Sequence, residues 1–191
     1  SSLPLKNKFV YLIQDFEPIF YNNSDAYTLA DETYHSKKFL PITNTEILLD
    51  YFKKNKYNYI AKNAVFFEPA PSPAVKKRSP KNSKTKKIFF YSRPNVDRNM
   101  ALDKALSDER LADYTIEAYS AGSSDVPNVQ LSNGTKIINK GKMPLDEYYA
   151  FAQTIDVAIS PMLAPHPNYP TLEFSGIGAT VVTTKWQTKS N

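Results

Sequence analysis

The sequence contains no cysteine and only two histidines, His35 and His166. The absence of cysteine excludes disulfide bonds and metal sites built from thiolates. The two histidines lie far apart in the sequence and lack the close spacing of zinc ligands. We therefore expect no metal bound by histidine or cysteine and no resident cofactor.

Long apolar runs are also missing. No segment reaches the roughly 20 apolar residues that cross a bilayer, and the N-terminus lacks the charged and then apolar order of a signal peptide. Of the 191 residues, 41% are hydrophobic and 13% are aromatic, which is enough for one large or two small domains with buried cores. These features predict a soluble, cytoplasmic protein.

The net charge of +5 is distributed unevenly. Lysine and arginine are concentrated in "KKRSPKNSKTKK", from Lys76 to Lys87. A stretch rich in proline, serine and asparagine, without apolar periodicity, indicates an exposed linker. Peripheral contact with an anionic membrane at its inner face is the alternative, because each basic residue near such a surface contributes about 1 kcal/mol. No recognition motif accompanies the charge, and we expect no binding to nucleic acid.

The part of the chain before this stretch alternates between β-rich and helical patterns. The β-rich runs cover residues 9–14, 39–43 and 64–67. Of the two helical patterns between them, one begins at Ser24 and Asp25 and the other at Thr43 or Asn44. Their predicted inward faces comprise Ala26, Leu29, Ala30 and Thr33 in the first helix and Ile47, Leu48, Tyr51 and Phe52 in the second. This alternation predicts parallel strands and half of a doubly wound domain.

Six further β-rich runs with intervening helices follow the basic stretch. The runs cover residues 87–92, 114–121, 128–132, 136–141, 155–160 and 179–184. The helical patterns cover residues 98–111, 145–153 and 171–178, the first with Ala101, Leu102, Ala105 and Leu106 inward. We therefore predict an α/β protein with half of a Rossmann-like domain in residues 1–72, a linker in 73–86 and a nearly complete Rossmann-like domain in 87–191.

The strand ends of the second predicted domain are suited to an anion. Ligands of such sheets bind beyond the carboxyl ends of the strands. The predicted ends read Ser92-Arg93, Gly122-Ser123, Gly141-Lys142 and Ser160-Pro161. Glycine, a small polar residue or a basic residue follows at each of them.

Two stretches resemble a known enzyme family. "SRPNVDRN" resembles the turn after the first strand of the donor domain in GT-B glycosyltransferases, and Arg93 and Arg98 keep the five-residue step between its two basic positions. "LEFSGIGATVVTT" resembles the segment that carries the ribose-contacting glutamate of these enzymes, with Glu173 and Gly178 at the matching positions. The resemblance spans residues 86–184 and implies the GT-B fold.

A narrower resemblance covers both halves of the chain. "YLIQDFEPIFY", "RPNVDRN" and "PHPNYPTLE" are similar to rhamnosyltransferases that use nucleoside-diphosphate-rhamnose in surface-polysaccharide assembly. The chain departs from the GT-B pattern at Pro165, where those enzymes have a second glutamate eight positions before Glu173. We also expect the chain to be truncated at both ends, because a whole acceptor domain and the returning C-terminal helices are not recognisable in it.

The donor that the resemblance implies has two phosphates and a ribose. Arg93 at a strand end suits bidentate bonds to the diphosphate, and Lys142 supplies a second charge from a neighbouring strand end. Arg98 joins them by resemblance, and such charges replace a metal in stabilising the leaving diphosphate. Glu173, in the first turn of its predicted helix, would accept hydrogen bonds from the ribose. The prolines between Pro165 and Pro170 would fix His166 and Tyr169 towards the donor.

Two carboxylates of the first half are candidate catalytic groups. Asp15 and Glu17 follow the first predicted strand, at its carboxyl end. Either would take a proton from an acceptor hydroxyl.

Each candidate also has a structural interpretation. In that interpretation Asp15 and Glu17 shape a turn, Arg93 forms a salt bridge, and Arg98 and Lys142 are solvated surface charges. His166 makes a structural contact, and Tyr169 covers the end of its helix. Glu173 is a helix carboxylate that the helix dipole stabilises.

The sequence thus predicts a metal-independent glycosyltransferase that moves a hexose, rhamnose by the narrower resemblance, to a glycan acceptor. The expected partners are dTDP-rhamnose and a glycan or lipid-linked glycan. A nucleotide- or glycan-binding module without turnover is the alternative. A structural domain that contacts a membrane through its basic linker is the third.

Overall fold

The computed structural model of the chain describes residues 8–70, 72, 75–79, 83–91, 99–165 and 169–189, with no account of the side chains of residues 99–101. The chain divides into two compact units. The first draws on the ranges 1–70, 163–167 and 185–191, and the second on 71–162 and 168–184. None of the helices in the described ranges is long and apolar enough to cross a bilayer.

The first unit is a three-stranded parallel sheet with helices between its strands. Its elements are β1 (Phe9–Ile13), α1 (Asp25–His35), β2 (Phe39–Thr43), α2 (Glu46–Lys54), α3 (Asn58–Asn63) and β3 (Val65–Phe66), with a 3-10 turn at Glu17–Phe20. The sheet order is β1-β2-β3, and both neighbouring pairs are parallel. The predicted parallel α/β pattern is confirmed.

Strand β2 lies in the middle of this sheet although it contains Pro41. The Asn44 N–H donates to the Ile13 carbonyl in β1 (3.2 Å). N–H groups alternate in direction along a strand, so the nitrogen of Pro41 faces the β3 side. Strand β3 pairs only with Ile42 and Thr43. The missing N–H of Pro41 therefore costs no ladder bond.

The predicted start of α2 is wrong by one or two residues. The cap is Thr45, whose Oγ1 accepts a hydrogen bond from the Leu48 N–H (3.1 Å). Thr43 cannot cap the helix because it still belongs to β2. Asn44 is likewise tied to β1 by its own N–H.

The predicted inward face of α1 is also wrong. Leu29 is 66% exposed, Ala26 and Thr33 are exposed, and Ala30 is half-buried. Tyr34 is buried instead, because its ring packs against the rings of Phe16 and Phe52 in the core. Aromatic side chains supply most of that core: Phe16, Tyr34, Phe39, Tyr51, Phe52 and Tyr57.

The other face of the first sheet is apolar and open. Val10, Leu12, Leu40 and Val65 are between 45% and 61% exposed. Val10 lies opposite Leu40 in the register, so their side chains share one face. Parallel sheets usually have both faces covered, and the described residues cover only one face here.

The second unit contains a six-stranded sheet. Its elements are β4 (Thr85–Tyr91), α4 (Asn99–Leu106), β5 (Thr115–Ala121), β6 (Val129–Gln130), β7 (Lys136–Asn139), α5 (Leu145–Ala152), β8 (Val157–Ser160), α6 (Tyr169–Ile177) and β9 (Thr180–Thr183), with a 3-10 turn at Glu109–Leu111. The order is β6-β7-β5-β4-β8-β9, and only β6 is antiparallel to its neighbour.

The parallel strands of this sheet, counted along the chain, lie in the order 3-2-1-4-5. This is the order of a Rossmann sheet, and the direction of winding reverses at β4. The α/β prediction is confirmed here as well. The arrangement of two domains as in GT-B enzymes stays a prediction.

Two helices of the second unit differ from their predicted extents. Helix α4 ends at Leu106, because Asp108 then accepts the Arg110 N–H (3.0 Å) and starts the 3-10 turn. Leu102 and Leu106 are buried as predicted, whereas Ala105 is exposed. Helix α6 begins at Tyr169, two residues before the predicted start.

Arg78 departs from the exposed linker that we predicted. Its guanidinium binds the Ile155 carbonyl and the Asp156 carboxylate (2.5 Å from the latter). The backbone N–H of Arg78 donates to the Ile177 carbonyl (2.8 Å). The second oxygen of Asp156 accepts the Lys87 N–H (2.8 Å). Arg78 thereby attaches this part of the basic segment to the second unit.

The Arg78–Asp156 ion pair is largely buried, with side-chain exposures of 13% and 15%. Burial by itself would raise the pKa of the Asp156 carboxyl, but the Lys87 N–H and the Arg78 guanidinium outweigh it, and the pKa lies below its ordinary value. A lowered pKa means that the pair stabilises the folded state at neutral pH. This stabilisation is lost as the pH falls below about 4.

Replacing Arg78 by methionine should lower the free energy of unfolding by about 3 kcal/mol at pH 7, because Asp156 then stays buried without its partner. The difference from the native chain should shrink below about pH 4, where Asp156 takes up a proton in the unfolded chains and in the variant that lacks its partner. Urea denaturation of both proteins at pH 7 and pH 3.5 measures it. The exposed neighbour Lys77 gives the matched control, Lys77→Met. Equal losses for the two variants would contradict the role of the ion pair.

Candidate functional site

A cavity of about 340 Å³ lies at the carboxyl ends of β4, β5 and β7 in the second unit. Its lining consists of Phe89, Tyr91, Ala121, Gly122, Gly141, Lys142, Met143, Tyr148, Pro170 and Glu173. Strand β4, at which the winding of the sheet reverses, contributes the first two. Rossmann-like sheets bind their ligands at this place.

Two glycines allow the loops after β5 and β7 to approach each other. Gly122 has φ 125° and Gly141 has φ 63°, conformations that residues with a side chain rarely adopt. The Gly122 N–H donates to the Gly141 carbonyl (3.2 Å). Asn139 strengthens the contact, because its Oδ1 accepts the Gly141 N–H (3.0 Å) and its Nδ2 donates to the Ser123 carbonyl (2.9 Å).

Lys142 follows directly on this pair of loops. Its side chain is exposed and lines the cavity. It forms no ion pair with a carboxylate in the part of the chain that the structure describes. Its positive charge is therefore accessible at the cavity, and the predicted contact with an anionic ligand stays a prediction.

Glu173 and Tyr148 lie on two different helices and meet at the cavity. The Tyr148 hydroxyl donates to Glu173 Oε2 (2.8 Å). Burial, and then the charge of Glu173, raise the pKa of the Tyr148 hydroxyl far above its ordinary value. The hydroxyl therefore stays protonated and keeps donating at neutral and mildly alkaline pH. A carboxylate has about four acceptor positions, so this bond leaves capacity for hydroxyl groups of a ligand.

The predicted position of Glu173 in the first turn of its helix is wrong. Because α6 begins at Tyr169, Glu173 is the fifth helical residue. The effect of the helix dipole fades beyond the first turn. The interpretation of Glu173 as a carboxylate favoured by the dipole thereby loses its basis.

The other predicted donor-binding residues are not among the described residues that line the cavity. Arg93, Arg98 and His166 lie outside the described residues. Tyr169 is the first residue of α6 and is 42% exposed, and its neighbour Pro170 lines the cavity in its place. Of the predicted strand ends within the described ranges, Gly122 and Gly141 reach the cavity, whereas Ser160 and Pro161 do not.

Asp15 and Glu17 belong to the first unit, just beyond the carboxyl end of β1. Asp15 is buried, and its Oδ1 accepts the Phe16 N–H (2.8 Å). Its carbonyl accepts the Tyr34 hydroxyl (3.2 Å), whose oxygen accepts the Glu17 N–H (3.2 Å). Glu17 itself is exposed. These bonds shape a turn, which agrees with the structural interpretation of Asp15.

Asn44 lies at the same edge of the first sheet, beyond β2. Its side chain is 1% exposed, and its Oδ1 has no hydrogen-bond partner among the described residues. Buried oxygens are rarely left in this state. Within the described residues, the carboxyl edge of the first unit therefore contains one buried acceptor that is left unsatisfied.

The sequence did not point to Tyr148 or Asn139 as site residues. Tyr148 was part of an amphipathic helical pattern, and nothing in that pattern indicates a partner in the next helix. Asn139 ends a short strand, where asparagine is common without a specific role. No group of three histidine, aspartate or glutamate side chains suited to a metal ion occurs within the described ranges.

Fold and site together define an α/β protein with a Rossmann-order sheet and a cavity at its carboxyl edge. The chain belongs to the WsaF family: residues 86–191 match the family described as "WsaF, C-terminal domain", and residues 4–46 match "WsaF, N-terminal domain". It is also similar to the O-antigen biosynthesis protein RfbC of Myxococcus xanthus, at 29% identity over 177 residues. That match covers 91% of this chain and 13% of RfbC.

Changing Gly141 to alanine should destabilise the chain by about 2 kcal/mol, because the left-handed backbone is strained and the new Cβ would lie 3.1 Å from Ser124 Oγ. Gly134 gives a matched control. It also has a positive φ, of 86°, but a Cβ there would meet nothing within 4 Å. Gly134→Ala should cost about 1 kcal/mol from backbone strain alone. Urea denaturation measures the free energy of unfolding of both variants. Equal decreases would show that the loops after β5 and β7 tolerate the added methyl group.

Proposed function

We propose that the cavity of the second unit binds the nucleoside diphosphate part of a sugar donor, in a glycosyltransferase of polysaccharide synthesis. One observation carries the proposal: Glu173 and Lys142 line the same cavity at the carboxyl edge of a Rossmann-order sheet. A carboxylate and a cation that forms no ion pair among the described residues match the two polar parts of such a ligand, the ribose and the diphosphate.

The two groups would have different tasks. Lys142 would contact the diphosphate and stabilise its negative charge as the bond to the sugar breaks. Glu173 would accept hydrogen bonds from the ribose hydroxyls. The apolar side chains of the lining would pack against the base: Phe89, Tyr91, Ala121 and Met143. Arg93 and Arg98 are further proposed contacts to the diphosphate, on the strength of the resemblance alone.

The comparisons support the class of reaction. The chain belongs to the WsaF family, and its relative RfbC is named as a protein of O-antigen biosynthesis. Because the chain spans 13% of the length of RfbC, the activity of a whole protein is part of the proposal. The finer elements, a rhamnose donor such as dTDP-rhamnose, a glycan acceptor and independence of metal, rest on the sequence resemblance.

Location in the cell belongs to the same proposal. A cytoplasmic enzyme that contacts the inner face of a membrane would use the basic residues between Lys76 and Lys87. Arg78 is excluded from that surface by its ion pair with Asp156.

Isothermal titration tests the donor site. The chain should bind uridine or deoxythymidine diphosphate with EDTA present, since Lys142 and the proposed arginines act in place of a metal. Glu173→Ala should weaken this binding by about 1–3 kcal/mol, because bonds to the ribose are lost. Its affinity for inorganic pyrophosphate, measured by displacement, should stay within about twofold of normal.

Glu117→Ala is the matched control. Glu117 also accepts a hydrogen bond from a tyrosine but does not line the cavity, so its loss should change neither affinity. Binding of nucleotide only with magnesium would refute the metal-independent part of the proposal. Absence of binding under both conditions would refute the donor site.

For the catalytic base we propose Asp15, with Glu17 as the second candidate. Both lie at the carboxyl edge of the first sheet, just beyond β1. A base there would remove the proton from the acceptor hydroxyl.

Asp15→Asn in the intact protein should reduce sugar transfer by about 10²–10⁴-fold and leave donor affinity within about twofold, because a general base acts in the transition state. Glu17→Gln is the parallel variant, and transfer is followed with radiolabelled donor. Transfer above a third of the normal rate with Asp15→Asn would exclude Asp15 as the base. A native protein that binds donor but transfers nothing would favour a binding module.

A further inference from the structure

We propose that Tyr148 is a positioning residue that fixes Glu173 in the orientation needed to accept the ribose hydroxyls of the donor. This inference rests on the proposed function, and it adds a residue to which the sequence did not point. Three observations support it: the hydrogen bond between the two side chains, the packing that fixes the tyrosine ring, and the position of both residues on the wall of the cavity.

The hydrogen bond joins two helices that are separate in sequence. Tyr148 lies on α5 and Glu173 on α6, and the hydroxyl of the first is 2.8 Å from Oε2 of the second. The bond uses Oε2, and no described residue donates a hydrogen bond to the other carboxylate oxygen, which can therefore accept bonds from a ligand. Both residues line the cavity, so the oriented carboxylate belongs to its wall.

The tyrosine ring is itself fixed. It packs edge-on against Phe174, with ring centroids 6.1 Å apart. Phe174 is fully buried and stacks on Phe89 of β4, at 4.6 Å. The hydroxyl therefore extends from a ring that the core of the second unit supports, and it can orient the more flexible side chain of Glu173.

The expected benefit is one of preorganisation. A free glutamate samples several rotamers, and a ligand that binds it must select one of them. Tyr148 makes that selection before the ligand arrives. Removing the hydroxyl should therefore weaken the contact between Glu173 and the ribose, while contacts to the diphosphate stay as they are.

A second interpretation predicts the opposite result. If the Tyr148 hydroxyl competes with the ribose for the carboxylate, its removal frees Glu173, and the nucleotide binds more tightly. A third interpretation treats the bond only as a tie between α5 and α6. In that case its loss would lower stability and would affect every ligand of the cavity alike.

The chain contains a matched control for the chemistry of the bond. Tyr119 donates to Glu117 Oε2, also at 2.8 Å, and both residues lie on β5. Neither lines the cavity. Tyr119→Phe therefore removes the same kind of hydrogen bond without touching the proposed site.

The experiment compares Tyr148→Phe with Tyr119→Phe in the whole chain, with uridine diphosphate and inorganic pyrophosphate as probes. In Tyr148→Phe the Kd for uridine diphosphate should rise about tenfold, the loss of one good hydrogen bond to a charged group. The Kd for pyrophosphate should change less than twofold. Tyr119→Phe should change neither value.

A double-mutant cycle identifies the route of the effect. In the Glu173→Ala background, adding Tyr148→Phe should change the Kd for uridine diphosphate by less than twofold, because the residue that Tyr148 orients is gone. A further tenfold loss in that background would mean that Tyr148 contacts the ligand itself, which would overturn the positioning role.

The remaining outcomes are equally distinct. Unchanged or tighter binding of uridine diphosphate by Tyr148→Phe overturns the inference, and so does an equal loss for pyrophosphate. If the substitution unfolds the chain, Tyr148→Met, which also lacks a hydrogen-bond donor, tests the same point, and the inference then requires weaker nucleotide binding with unchanged pyrophosphate binding. If the native chain binds neither probe, the proposed function itself fails. Binding by the native chain with no effect of Tyr148→Phe removes only the inference.

Discussion

The parallel pairing of β4 with β5 on one side and β8 on the other is the constraint on which the second unit depends. Parallel strands must be connected by long crossovers, and reversing the winding at β4 places loops on both sides of that strand at the carboxyl edge. The cavity lies where these loops leave the sheet. Phe89, buried in β4, packs with Phe174 of α6, so the same strand that defines the crevice also anchors the helix carrying Glu173.

Several individually weak interactions fix the positions of Lys142 and Glu173 at the cavity. Asn139 and the two glycines with positive φ, Gly122 and Gly141, join the loops after β5 and β7 and so fix the backbone from which the Lys142 side chain extends. The Tyr148 hydrogen bond orients Glu173 from the neighbouring helix. Backbone geometry thus places a cation at the cavity, and helix packing places a carboxylate there.

The first unit follows the same strand and helix pattern but stabilises it differently. Its core is built mainly from aromatic rings, and its sheet keeps one apolar face that the described residues do not cover. Asp15 and Asn44, two polar residues at its carboxyl edge, are buried. The Tyr34 hydroxyl holds the turn after β1 together, because it donates to the Asp15 carbonyl and accepts the Glu17 N–H.

Local sequence patterns are enough to predict the alternation of strands and helices, the parallel α/β class, and the place of Lys142 beside a glycine at a strand end. These features follow from local periodicity and turn chemistry, which neighbouring residues encode. Tertiary structure alone decided that α1 buries Tyr34 and not Leu29, that Arg78 leaves the solvated linker to pair with Asp156, and that α6 starts at Tyr169. It also decided the pairing of Tyr148 with Glu173. Each of these depends on which distant side chains pack together, and that packing is a property of the assembled sheet and helices that no short stretch of sequence contains.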